Sequence, residues 1–240
     1  MRARPSLVLV HSPLTGPSTW EPVATELRGR GYVTHVPSVA GEFADGGPYF
    51  PRLAARVADG IVRDGGTGPV LLAAHSGAGA LLPAAAAAAE GAGVPVAGLL
   101  HADAPLPHPG RSWFDTVPAE LRERLNALAR NGELPPWDEW FPPGTIEGLL
   151  PDGAQRAAFR AELPRLPLGW FEEPAPELPA RYAPSPSGYL RLSGAYEDEA
   201  RRAEREGRPV VRRDAHHLAL LTEPRATADA LAELAGALTE

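Results

Sequence analysis

The segment Ala74-His75-Ser76-Gly77-Ala78 has the residue types of a nucleophilic serine held in a sharp turn between a strand and a helix. Such a turn strains the backbone of the serine, and the small side chains of Ala74 and Ala78 leave room for it. It would lift the Ser76 hydroxyl above the sheet edge and place the Gly77 N–H at a helix N-terminus, where it can stabilise an oxyanion. A serine after a strand can equally be an N-cap, so this pattern alone does not assign chemistry.

Two adjacent histidines, His216 and His217, stand in the loop between the last predicted strand and the last predicted helix. An imidazole in that loop can reach a serine at a neighbouring strand end. Its ordinary pKa near neutrality suits a general base that accepts the serine proton. The residue types alone leave both histidines open as the base.

A carboxylate that orients the imidazole would complete a catalytic triad, and two places in the sequence offer one. Asp103 follows the predicted strand 96–101, whereas Glu197 and Asp198 follow the predicted strand 189–192. The second place opens the strongly charged stretch 197–208, a composition typical of a solvated helical face. We therefore favour Asp103.

These residues follow strands that alternate with helices along the chain, which predicts an α/β fold with a mostly parallel, doubly wound sheet. In such sheets ligands bind at the carboxyl ends of the strands, where the candidate residues stand. The predicted strands are 7–10, 32–36, 70–74, 96–101, 189–192 and 209–211, and the predicted helices are 20–30, 50–62, an Ala-rich helix ending near 89, and 223–238.

The stretch 104–187 has no predicted strand, is rich in proline, and holds four of the five tryptophans. We interpret it as a helical lid inserted into a core made of residues 1–103 and 188–240. Trp113, Trp137 and Trp140 are predicted to form an apolar roof over a substrate. The alternative is that these aromatic side chains only form a small core of their own.

Composition excludes several other functions. The 240 residues carry 30 acidic and 23 basic side chains, and the net charge of −7 opposes binding to nucleic acid. Without cysteine or lysine the chain has no disulfide, thiolate ligand or Schiff-base lysine. The first apolar run is too short for a secretory signal, and none is long enough to span a membrane. We expect a cytoplasmic bacterial protein with a small-molecule substrate and no cofactor or metal.

The order of serine turn, acid, lid and late histidine resembles the α/β-hydrolase superfamily over essentially the whole chain. The final segment, from Ala215 to Pro224, looks like that of the plant methylesterase and hydroxynitrile lyase branch, whose catalytic histidine stands seven residues before a proline. That count implies His217 as the base. The same branch would put the acid where this sequence has Tyr196. Haloalkane dehalogenases instead carry the acid four residues before a proline, as Asp103 stands before Pro107, so the resemblance supports Asp103.

The resemblance also implies an oxyanion hole made by Gly77 and by the third residue of a His-Gly-x motif, which His11-Ser12-Pro13 matches. Proline has no N–H to donate. Three alternatives follow: the Leu14 N–H or the Ser12 hydroxyl, both in the substrate-binding region, replaces the missing donor; the substrate needs only the Gly77 donor; or the reaction does not pass through a tetrahedral oxyanion. The sequence thus predicts a serine hydrolase for a small, fairly apolar ester, lactone, thioester or amide. The alternatives are a lyase or cyclase of secondary metabolism and a non-catalytic small-molecule-binding protein.

Overall fold

The computed structural model describes residues 4–177 and 186–239. Small parts of the predicted core, at 1–3 and 240, and residues 178–185 of the predicted lid lie outside the described residues. No helix in the described ranges is long and apolar enough to cross a membrane.

Strands and helices alternate in the described chain as the hydrophobic pattern predicts. The strands are β1 (Ser6–Val10), β2 (Thr34–His35), β3 (Val70–His75), β4 (Val96–Ala102), β5 (Glu133–Leu134), β6 (Leu166–Pro167), β7 (Ser187–Arg191) and β8 (Val210–Arg212). The α-helices are α1 (Glu21–Gly29), α2 (Tyr49–Arg63), α3 (Leu82–Gly91), α4 (Ala119–Leu128), α5 (Thr145–Leu149), α6 (Gly153–Ala161), α7 (Leu168–Glu172), α8 (Glu197–Arg205), α9 (Ala219–Thr222) and α10 (Pro224–Thr239).

Six strands form one parallel sheet in the order β2-β1-β3-β4-β7-β8, which confirms the predicted doubly wound sheet. Its central strands are mostly apolar because both faces are buried. In β1, Val8 and Val10 join a core cluster on one face, and Leu7 and Leu9 join a second cluster on the other. The strand order reverses at β1 and β3, which is where open α/β sheets bind ligands.

Helices cover both faces of this sheet. Helices α2 and α3 pack together on the first face, while α1 and α10 pack together on the second. The short side chains of Ala85, Ala86 and Ala89 are buried, so α3 can approach the sheet closely. On the α2–α3 side, buried residues of the chain between β4 and β7 belong to the same core cluster as residues of these two helices.

The chain between β4 and β7 is mainly irregular and helical, with α4 to α7 in its described part. It also contains the short antiparallel pair of β5 and β6, which the sequence analysis did not predict. Each of these strands has only two residues, too few for a period-two pattern to appear in the sequence. Leu134 and Leu166 of the pair are buried in the cluster that also contains residues of α2 and α3.

Candidate active site

Ser76 stands directly after β3 in a left-handed backbone conformation, with φ of 54°. A positive φ is unfavourable for a residue with a Cβ atom and is found at functional sites where the surrounding fold enforces it. The neighbours Ala74 and Ala78 are fully buried, so larger side chains would have no room there. After Ser76 the chain forms a 3-10 turn to Leu81 before α3 begins.

His217 lies between Ser76 and Asp103 and is within hydrogen-bonding distance of both. Its Nε2 atom is 3.0 Å from Ser76 Oγ, and its Nδ1 atom is 2.9 Å from Asp103 Oδ2. A carboxylate only accepts, so Nδ1 carries the proton and Nε2 can accept the serine hydroxyl hydrogen. His216 points elsewhere: its Nδ1 accepts from the Leu218 N–H, and its Nε2 lies 3.0 Å from the Thr222 hydroxyl.

Asp103 is fully buried and also has a positive φ, of 46°. Its Oδ1 atom accepts hydrogen bonds from the N–H groups of Leu192 and Ser193, and its Oδ2 atom accepts from the Ser193 hydroxyl at 2.6 Å. Burial raises the pKa of this carboxyl, but the hydrogen bonds and charge of His217 and the bonds from Ser193 lower it below its ordinary value. Asp103 is therefore held as a carboxylate.

The alternative acid, Glu197, is not beside the histidine. Its carboxylate forms ion pairs with three arginines on the surface, namely Arg191 at 3.0 Å, Arg201 at 3.2 Å and Arg212 at 3.3 Å. The charged residues at the start of α8 therefore form a partly exposed network of ion pairs.

Gly79 allows the loop that carries Asp103 to approach the serine turn. A Cβ atom at Gly79 would lie 2.2 Å from the carbonyl oxygen of Pro105 and 2.9 Å from Ala104 Cβ, so a side chain there would displace the loop. This glycine is thus explained by packing between the ends of β3 and β4.

Two aromatic rings hold the imidazole of His217 in place. Tyr196 stacks nearly parallel to it, with ring centroids 5.3 Å apart and an interplanar angle of 8°. The His75 ring lies 4.5 Å away, and His75 Nε2 donates a hydrogen bond to the His217 carbonyl oxygen at 2.9 Å. Tyr196 thus occupies the sequence position where the related branch would have its acid, and it acts here as a stacking partner. The sequence analysis did not anticipate either contact.

Two buried histidines make the fold sensitive to acid. Burial lowers the pKa of His75 to about 3 and that of His101 to about 3, from the 6.5 of an unfolded chain. Below pH 6.5 the unfolded state therefore binds more protons than the folded state, and stability falls as the pH falls. Each histidine should contribute a slope of about 1.4 kcal/mol per pH unit between pH 6 and 4.

We expect His101→Phe to reduce the total slope by about 1.4 kcal/mol per pH unit, because the substitution removes one of the groups whose pKa is lowered in the folded state. Urea unfolding followed by circular dichroism at pH 4.5, 5.5 and 6.5 measures the slope for the wild type and the variant. Identical slopes in the two proteins would show that His101 is protonated in the folded state.

The segment after β1, with Ser12, Pro13 and Leu14, lies beside Gly77. Ser12 is fully buried, and its Oγ atom accepts a hydrogen bond from the Leu14 N–H at 3.2 Å. The same atom lies 3.0 Å from the position that a Cβ atom on Gly77 would take. The Ser12 hydroxyl hydrogen is therefore beside Gly77 and free to donate, whereas the Leu14 N–H is already used.

A narrow, mostly apolar pocket with a cavity volume of only about 20 Å³ has Gly77 in its wall. Two of the predicted substrate-binding residues, Leu14 and Trp113, line it. The other lining residues are Phe50, Ala80, His108, Trp170, Phe171 and Glu173, which the sequence analysis did not assign to the site.

The remaining predicted roof residues are not part of this pocket's wall. The Trp137 ring is 5.9 Å from that of His217 and also contacts Phe141 and Phe159. Trp140 is buried against Phe171, and its indole N–H donates to the Pro135 carbonyl oxygen at 3.0 Å. Trp137 thus covers the histidine side of the site, and Trp140 packs behind the pocket.

Comparison with known protein families gives a match to the alpha/beta hydrolase family over residues 7–230, nearly the entire chain. The chain belongs to this family. The match includes the serine turn, Asp103 and the loop of His217. A search of curated proteins finds no significant sequence relative.

Solved structures with the same fold align over almost the full length of this alpha/beta hydrolase. An extracellular alpha/beta-hydrolase from a Paenibacillus species is 21% identical, with a TM-score of 0.73 and coverage of 96% of this chain and 98% of that one. A pyrethroid hydrolase from Sphingobium faniae is 22% identical, with a TM-score of 0.71 and coverage of 97% and 98%. Polyneuridine aldehyde esterase is 13% identical, with a TM-score of 0.68 and coverage of 97% and 99%. These likenesses establish the shared fold.

Proposed function

We propose that this protein is a serine hydrolase for a small, fairly apolar ester, lactone, thioester or amide. The observation that carries the proposal is the continuous hydrogen-bonded chain from Asp103 through His217 to Ser76, with distances of 2.9 and 3.0 Å. The family match and the hydrolases among the structural neighbours support hydrolysis in general. The apolar pocket beside Gly77 supports a small uncharged substrate.

In the proposed reaction, Ser76 Oγ attacks the carbonyl carbon of the substrate while His217 Nε2 takes the hydroxyl proton. The tetrahedral intermediate expels the alcohol, thiol or amine, which receives that proton from His217, and an acyl-Ser76 ester remains. A water molecule, deprotonated by His217, then attacks the acyl carbon, the acyl–Oγ bond breaks to release the acid, and His217 returns the proton to Ser76 Oγ. Asp103 orients the imidazole and stabilises its positive charge throughout.

Because Pro13 has no N–H, other groups must donate the hydrogen bonds that stabilise the oxyanion. We assign one of these hydrogen bonds to the Gly77 N–H and a second to the Ser12 hydroxyl, which the Leu14 N–H holds and polarises.

Ser12→Ala should therefore lower kcat/KM by roughly 100-fold or more, the usual effect of losing one oxyanion donor. Ser12→Thr keeps the hydroxyl and is the matched control. Steady-state hydrolysis of one ester by all three proteins tests this, and nearly equal rates for the Ala variant and the wild type would contradict it.

Rapid mixing with p-nitrophenyl acetate and p-nitrophenyl butyrate tests the proposed function. We expect a burst of p-nitrophenolate equal to the enzyme concentration when deacylation is the slower step, and in every case turnover that requires Ser76. Absence of turnover for esters, thioesters, lactones and amides alike would contradict a hydrolase.

A lyase or cyclase on the same fold is the second candidate, and Pro13 is the observation that favours it. Such an enzyme would use Ser76 and His217 to move a proton without an acyl intermediate. It would then bind small apolar molecules but form no covalent adduct with an ester. A non-catalytic binding protein is disfavoured because the serine, histidine and carboxylate are all present and aligned.

A further inference from the structure

Tyr196 lies beside the triad, and the proposed reaction does not use its hydroxyl. The residue ends the 3-10 turn that follows β7, directly before α8 begins. Its ring lies nearly parallel to that of His217, with centroids 5.3 Å apart and an interplanar angle of 8°. Stacking requires only an aromatic ring, which phenylalanine would supply as well, so the hydroxyl has no role in this contact.

The Tyr196 hydroxyl forms a hydrogen bond with the Ser76 side chain. Burial and the charge of Asp103 raise the pKa of this hydroxyl above its ordinary value, although the hydrogen bond with Ser76 lowers it in part. Tyr196 therefore keeps its hydrogen and is a donor. Ser76 has a single hydroxyl hydrogen, which it donates to His217 Nε2 at 3.0 Å, so Ser76 Oγ accepts the hydrogen bond from Tyr196.

Tyr196 and the donors assigned to the oxyanion come from opposite sides of the nucleophile. The sheet order has β1 on one side of β3, the strand that precedes Ser76, and β4 and β7 on its other side. Ser12 follows β1 and lies beside Gly77, whereas Tyr196 follows β7. An oxyanion held by Ser12 and Gly77 therefore points away from Tyr196.

The leaving group of the tetrahedral intermediate must face His217, because Nε2 of this residue delivers a proton to it. The oxyanion and the leaving group are different substituents of one carbon. When the oxyanion is turned toward Ser12 and Gly77, the leaving group is on the side where the Tyr196 ring stacks on His217. Ser76 Oγ is then bonded to the acyl carbon and is a weaker acceptor, so the Tyr196 hydrogen is available to a more basic atom.

From this arrangement we infer that the Tyr196 hydroxyl donates a hydrogen bond to the leaving-group atom, which makes Tyr196 a further catalytic residue that favours substrates with basic leaving groups. The inference rests on the proposed function. The bond between the acyl carbon and the leaving-group atom breaks with its electron pair on that atom, which takes the proton from His217 Nε2. Tyr196 keeps its own proton and stabilises the negative charge that develops before this transfer is complete.

Butyrate esters that differ only in their alcohol test the inference. The series is p-nitrophenyl, phenyl, trifluoroethyl and ethyl butyrate, in order of increasing basicity of the leaving group, and kcat/KM for each is measured by acid release in a pH-stat. We expect Tyr196→Phe, which keeps the stacked ring, to lower kcat/KM for ethyl butyrate by about 10- to 100-fold. The loss should shrink to less than about threefold for p-nitrophenyl butyrate, because the charge of p-nitrophenolate is spread over its ring and needs little help from one hydrogen bond. A uniform loss across the series, or no loss for any ester, would overturn the inference.

Tyr189→Phe is the matched control, because it also removes a tyrosine hydroxyl near the acid of the triad. Tyr189 is fully buried in β7, and its hydroxyl donates to the Ala104 carbonyl oxygen at 2.8 Å. Any change in kcat/KM in this variant should be the same factor for all four esters. If Tyr189→Phe made the rate depend on the leaving group as strongly as Tyr196→Phe, disturbed packing would explain both results and the inference would be overturned.

Failure of the proposed function would give a different result. If the protein is not a hydrolase, the wild type will hydrolyse none of the four esters, and the role of Tyr196 falls with the proposed function. Hydrolysis that requires Ser76 but responds equally to Tyr196→Phe for all four esters would instead overturn only the role of Tyr196.

Discussion

Replacing Ser76 by alanine is expected to lower kcat for ester hydrolysis by about 10⁴- to 10⁶-fold, among the largest effects of any single substitution. The change removes only the Oγ atom that His217 contacts at 3.0 Å. The Cβ atom, and with it the left-handed backbone at this position, stays as it is. Residual activity would come from substrate binding and the oxyanion donors alone.

Ser193→Ala is the matched control for the Ser76 variant, because it also removes one serine hydroxyl beside the triad. That hydroxyl donates to Asp103 at 2.6 Å and has no contact with the reacting atoms in the proposed mechanism. Its loss should lower kcat on the order of tenfold. Steady-state rates at saturating p-nitrophenyl butyrate measure both variants. Comparable losses in the two proteins would mean that Ser76 has only a structural role.

Replacing Asp103 by asparagine is expected to lower kcat/KM by about 10⁴-fold at neutral pH. The amide can keep the two backbone hydrogen bonds of Oδ1, and asparagine tolerates a positive φ better than most residues, so the fold should persist. The amide nitrogen would face His217 Nδ1 as a donor. This favours the imidazole tautomer that has its hydrogen on Nε2, which cannot accept the serine proton.

Glu197→Gln is the control for the position of the acid. Glu197 pairs with surface arginines, and its substitution should leave kcat/KM within about twofold of the wild type. Far-ultraviolet circular dichroism of both variants verifies the fold. If Glu197→Gln lost activity and Asp103→Asn retained it, the catalytic acid would instead lie in the segment after β7, as in the methylesterase and hydroxynitrile lyase branch.

Much of the fold could be predicted because its strands are buried on both faces. Continuous apolar runs such as 70–74 and 96–101 are then visible without any alignment, and the residues that end them lie at one edge of the sheet. That reasoning brought Ser76 and Asp103 into the same region. The count back from Pro224 selected His217 over His216, and the structure has His217 as the neighbour of both.

The pocket could not be predicted in the same way, since its wall is built by packing between distant parts of the chain. Phe50 from α2 packs against Trp170 from α7, more than a hundred residues later, and no periodicity links them. The contact of His75 with the His217 carbonyl spans 142 residues. Trp140 was predicted for the roof on residue type alone, but burial places it behind the pocket.

Covalent labelling of the wild-type protein by a fluorophosphonate tests the central claim most directly. Intact-mass spectrometry followed by peptide mapping should find one phosphonyl group per chain, attached to Ser76, with labelling greatly slowed in His217→Ala and absent in Ser76→Ala. A protein that remains unlabelled under conditions where a known serine hydrolase reacts, or that carries the adduct on a different residue, would contradict the account.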